Sequence, residues 1–123
     1  MGFIKVAERY KEGKTKPTRY YSNKQEKYVA KKFSGKQTKN SGATRFEKGD
    51  VVLDKWLVEC KTKTQPSSSI SIKKEWIEKN ISEACSMGKD YQTIAFSFGP
   101  GEPNYYIIDE FLFEELQNYL SNK

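Results

Sequence analysis

Gly49-Asp50-Val51-Val52-Leu53-Asp54-Lys55-Trp56-Leu57-Val58-Glu59-Cys60-Lys61 contains two apolar runs on either side of Asp54-Lys55, and it reads as a β-hairpin. With the connection centred on Asp54-Lys55, Leu53 faces Trp56, Val52 faces Leu57, Val51 faces Val58 and Asp50 faces Glu59. Directly opposed residues share a sheet face, with Cβ atoms about 4.5–5.5 Å apart. One face of the hairpin is then Val51, Leu53, Trp56, Val58 and Cys60, all apolar, and Cys60 is expected to pack into a core. The other face sets Asp50 beside Glu59, with Lys61 two residues further along.

Working outward, Ser22-Asn23-Lys24-Gln25 has the form of a capping box. The helix it opens is expected to stop before Gly35, with an inward stripe of Glu26, Val29, Ala30 and Phe33. The first of those positions is a carboxylate where an apolar residue is expected. Residues 36–45 read as a polar loop. Downstream of the hairpin, Ile72 to Met87 is expected to be helical, burying Trp76, Ile77, Ile81, Ala84 and Cys85, with Gly88 as its left-handed cap. Trp76 fits a core position before it fits a base-stacking platform. Tyr91 to Phe98 and Tyr105 to Ile108 read as strands, and Asp109 as the cap of a last amphipathic helix. The order α-β-β-(β)-α-β-β-α predicts an α/β fold with a mixed central β-sheet flanked by helices. It predicts a single domain over residues 22–123, preceded by a basic arm over residues 1–21.

Composition narrows the chemistry. The 123 residues include no histidine and two cysteines, which excludes Ser-His-Asp and Cys-His catalysis and a four-ligand zinc site. The longest apolar runs are too short to span a bilayer and residues 1–10 lack an apolar signal core, so a soluble, cytoplasmic protein is expected. Residues 1–48 hold 14 Lys/Arg against 4 Asp/Glu, whereas residues 49–123 hold 8 against 12, which together give the net charge of +6. The basic half is interleaved with Tyr10, Tyr20, Tyr21, Tyr28 and Phe33, a pattern that suits a polyanion, most simply DNA. Two opposed carboxylates repel, and a divalent cation with oxygen ligands would compensate them. Lys61 is positioned to stabilise charge developing on a phosphate; the plainer alternative is two solvated acids with Lys61 in a weak cross-strand pair.

Gly49-Asp50, eight intervening residues and then Glu59-Cys60-Lys61 resembles the core of the PD-(D/E)XK nuclease superfamily. The order and spacing are most similar to archaeal-type Holliday-junction resolvases and their phage relatives. The likeness runs from Ser22 to Phe98, with Gly49 standing where the motif has proline. The resemblance implies a restriction-endonuclease-like core, with Asp50 and Glu59 as ligands of Mg²⁺ (Mn²⁺ substituting) and Lys61 as the catalytic lysine. Glu26 matches the acidic residue that such resolvases carry on their first helix, a further catalytic and metal-binding candidate. It implies in-line attack of a metal-bound water on branched or duplex DNA, with no small-molecule cofactor. Lys36, Lys39, Ser41, Arg45, Lys48 and Lys63 are the DNA-binding candidates. Alternatives are a nuclease of the same fold with another DNA target, or a non-catalytic basic DNA-binding accessory protein. Two symmetric cuts in a junction call for a homodimer. Phe111, Phe113, Leu116, Tyr119 and Leu120 are its first candidate interface, and the arm its second.

Overall fold

The computed structural model describes residues 18–38 and 50–122. Among these, three helices and five strands follow in the order α1 (Thr18–Phe33), β1 (Lys36–Gln37), β2 (Asp50–Val52), β3 (Trp56–Thr62), α2 (Lys74–Ser86), β4 (Tyr91–Ser97), β5 (Tyr105–Ile107) and α3 (Glu110–Ser121). The strands form one open mixed sheet in sequential order. Only the β3–β4 pair is parallel, and α2 is its crossover. The chain is therefore α/β, as the alternation of strand and helix patterns requires.

The hairpin has the expected register: Asp50 lies opposite Glu59, Val51 opposite Val58 and Val52 opposite Leu57. Leu53 N–H donates to the Trp56 carbonyl at 2.9 Å, closing the turn on Asp54-Lys55. These two residues lack the Asn-Gly or Asp-Gly chemistry of a tight hairpin, and the turn is held from outside. Lys89 Nζ donates to the carbonyls of Leu53 (2.8 Å) and Asp54 (3.1 Å), and Tyr91 N–H donates to Lys55 O at 2.9 Å. The apolar hairpin face, Val51, Val58 and Cys60, packs with Ala95 against Val29 of α1. The opposite face lies under α2.

Four expectations need correction, the first being Phe33, which was expected on the inward stripe of α1 and is 44% exposed. Helix α1 begins at Thr18, four residues before the supposed cap, so Ser22–Gln25 sit in its interior and Tyr21 belongs to the helix. Lys36–Gln37 is a short edge strand paired antiparallel to β2, where a loop was expected. On α2 the buried residues are Asn80, Glu83 and Ala84, whereas Ile81 and Cys85 are exposed. Both stripes obey the 3.6-residue period, so apolar content alone misplaces the buried face when polar residues occupy it.

Helix α1 ends on Ser34 in the left-handed region (φ 58°), with Gly35 N–H donating to Ala30 O at 2.8 Å. Gly35 then passes against the hairpin. A Cβ there would strike the Leu53 side chain and lie 2.8 Å from the Val52 carbonyl oxygen. Gly35→Ala is therefore expected to destabilise the protein by about 1–3 kcal/mol through forced displacement of packed backbone. Urea denaturation of the two proteins measures it.

Candidate functional site

Strand alternation carries Asp50 and Glu59 to the face covered by α2, and α2 contributes a third carboxylate. Asp50, Glu59 and Glu83 each present an oxygen within 4.8 Å of the others. All three residues are buried, Asp50 to 2% exposure. Asp50 Oδ2, Glu59 Oε1 and both oxygens of Glu83 have no hydrogen-bond partner among the described residues. Unpartnered buried oxygens are rare because their desolvation is not repaid. Two lysines approach the group. Lys61 Nζ is 3.1 Å from Glu59 Oε2, and Lys79 Nζ is 3.6 Å from Glu83 Oε2. Lys61 also lies over the Trp76 ring, 4.4 Å from its centroid, a cation–π contact that fixes the ammonium between carboxylate and indole.

Burial raises the affinity of Asp50 and Glu83 for protons. Burial pushes the Asp50 carboxyl up to about 8, assisted by the neighbouring charges of Glu83 and Glu59. Burial likewise raises Glu83, against the opposing pull of Lys79. Cys60 faces the other way, into the core, and its thiol is pushed up by burial and then by the charges of Glu26, Asp50 and Glu59.

The sequence candidates are therefore brought together in part. Asp50, Glu59 and Lys61 meet. Glu26 is fully buried on α1 but is not one of the three clustered acids. It accepts a hydrogen bond from Gln37 Nε2 at 3.1 Å, and Gln37 lies opposite Val51, on the sheet face away from Asp50 and Glu59. Lys36 is exposed on β1 and Lys63 is half-buried just past β3. Lys39, Ser41, Arg45 and Lys48 lie outside the described residues. Glu83 is the residue that sequence reasoning missed. Its signal was present: Trp76, Asn80 and Glu83 fall at i, i+4 and i+7, so a carboxylate shares the stripe of a half-buried tryptophan, as Glu26 does that of Val29.

Comparison with models of known protein families, with curated proteins and with solved structures gives no match to this chain in any of the three. What the site can hold therefore follows from its donor set. Three carboxylates whose oxygens lack hydrogen bonds, with no nitrogen or sulfur ligand in the group among the described residues, suit a hard divalent cation of the Mg²⁺ class. Without a cation or a proton the group repels itself.

Asp50 binds its proton more tightly in the folded than in the unfolded chain. The associated stability is full below the ordinary carboxylate range and is lost as pH rises toward about 8. In EDTA the melting temperature is accordingly expected to fall between pH 4.5 and 8.5, and Asp50→Asn to flatten the curve. A differential scanning series across pH checks this.

Proposed function

We propose that this chain is a metal-dependent DNA endonuclease with a restriction-endonuclease-like core, cutting branched DNA as a junction resolvase does. The observation that carries the proposal is the convergence of three buried carboxylates, four of whose oxygens accept no hydrogen bond, beside a lysine held at 3.1 Å from one of them. Asp50, Glu59 and Glu83 would hold Mg²⁺ or Mn²⁺. When bound, such an ion lowers the pKa of water and offsets charge building on the scissile phosphate. Lys61 supplies the second positive charge, and Trp76 and Glu59 limit where its ammonium can go. The mostly buried setting of the acids strengthens each of these interactions relative to bulk water. Lys36, Lys63 and, in the sequence before Asp50, Lys39, Arg45 and Lys48 are the basic residues that would supply phosphate contacts, which orient the strand without reading its sequence.

Cleavage of a four-way junction or a supercoiled plasmid is expected in Mg²⁺ and not in EDTA. Asp50→Asn, Glu59→Gln and Lys61→Ala are each expected to lower the rate by about 10²-fold or more. DNA binding in gel shifts should survive, because removing acid near phosphate lessens repulsion. A wild-type protein that shifts DNA and never cuts it would instead be a binding accessory, and near-wild-type cutting by Asp50→Asn would refute the site.

Helix α3 supports a second copy as partner. Its cap forms as expected, Leu112 N–H donating to Asp109 Oδ1 at 2.9 Å, yet Leu112 is its only buried residue. Phe111, Phe113, Tyr119 and Leu120 remain 61–76% exposed. Phe113, Leu116 and Leu120 fall at i, i+3 and i+7 and share one face of the helix, which antiparallel docking would seat against the same face of the other copy. Sedimentation of the free protein should give a dimer, and Phe113→Asp with Leu120→Asp a monomer.

A further inference from the structure

On the face that carries the acids, the next row of the sheet is aromatic. Lys61 on β3 lies opposite Phe96 on β4, and Phe96 lies opposite Tyr105 on the edge strand β5. This row runs beside the one formed by Asp50, Glu59, Ile94 and Ile107, two residues further along β3. Opposed residues share a face, so Lys61, Phe96 and Tyr105 point the same way as the carboxylates. Phe98, two residues past Phe96, joins them. The three rings form a mutual cluster, with Phe96–Phe98 centroids at 5.5 Å, Phe96–Tyr105 at 5.6 Å and Phe98–Tyr105 at 5.8 Å. Lysine accompanies aromatic in the following row too, since Lys63 N–H bonds the Ser97 carbonyl next to Phe98.

The cluster is not closed off as a core. Phe96 and Phe98 are half-buried and Tyr105 is 50% exposed. Packing against two other rings locks the Tyr105 ring and leaves part of it to solvent. An exposed aromatic braced by two rings, on the sheet face that also carries Lys61, has the composition of surfaces that bind single-stranded nucleic acid, where cations track the phosphates and rings stack on bases. Two strand spacings separate Tyr105 from Lys61, about 10 Å, within reach of one nucleotide whose phosphate sits at Lys61. Within an intact duplex both faces of every internal base are covered by its neighbours, so away from the ends only a base outside the stack can lie on such a ring.

We propose that Tyr105, braced by Phe96 and Phe98, is a stacking platform for an unpaired base beside the cleaved phosphate. The substrate class is then DNA with an unstacked nucleotide at the cut, as at a branch point, flap or single strand, and intact duplex is discriminated against. The platform's place beside the cut rests on the nuclease proposal; its preference for unpaired bases does not.

The test is a pair of binding titrations with the full chain in EDTA and low salt, using 2-aminopurine fluorescence. One DNA is a single strand carrying the probe and the other is the blunt duplex of the same sequence. Wild type should bind the single strand more tightly and quench the probe. Tyr105→Ala should weaken single-strand binding by about 5- to 160-fold, the range for one stacked base, and change duplex binding less than twofold. Tyr105→Phe should retain wild-type behaviour. Tyr105→Leu, which keeps apolar bulk without a π face, should behave as alanine does at an unchanged melting temperature. Equal loss on both DNAs, or no loss on the single strand, would overturn the platform. A wild type that cuts no DNA in Mg²⁺ yet shows this Tyr105-dependent preference would remove the nuclease proposal and leave the platform standing.

Discussion

Asp50 and Glu59 stand directly opposite one another across a two-strand ladder, on a face that α2 then covers. Like charges so placed are unfavourable in water and more so when buried. Here the crowding is carried further, because α2 adds Glu83 to the pair. Everything around the site bears on that repulsion. Lys61 is drawn to Glu59, Lys79 to Glu83, and the Asp50 carboxyl keeps its proton to an unusually high pH. An arrangement that lowers stability and persists in an otherwise regular sheet is the kind of local conflict expected at a functional site.

The sheet itself is ordinary, which is why so much of it is legible in the sequence. Two apolar runs flank Asp54-Lys55, and a connection centred on those two residues leaves a single register available. The pairing of Asp50 with Glu59 follows from that register alone. Asp109 and Gly88 mark helix ends through local backbone chemistry, and both do so in the fold.

Legibility fails where polar residues are buried or where tertiary contacts replace local ones. Helix α2 turns Asn80 and Glu83 to the sheet and leaves Ile81 in solvent, because a third carboxylate lies against the hairpin acids. Seeking apolar periodicity, one finds the right helix and the wrong face. Glu26 drew attention by the same logic, as an acid on an inward stripe, yet α1 packs on the opposite side of the sheet and Gln37 serves it there. Whether an inward acid reaches the site depends on which layer its helix occupies, and that is a property of topology. The turn at Asp54-Lys55 is a milder case: its sequence is a poor hairpin signal, and Lys89, 35 residues away, supplies the hydrogen bonds.

The crossover through α2 also orders events in time. Asp50 and Glu59 belong to a local hairpin, of the kind that forms in about 1–10 μs. Parallel pairing of Trp56 with Tyr91 spans a much longer loop and comes later. In the early hairpin the two acids are still hydrated and screened, so their repulsion is weak. Desolvation, and the arrival of Glu83, come only when α2 docks. The electrostatic penalty therefore belongs to the docking of α2 on the hairpin and not to the hairpin alone. A proton on Asp50 relieves the repulsion that this docking creates, and so favours α2 seated on the sheet.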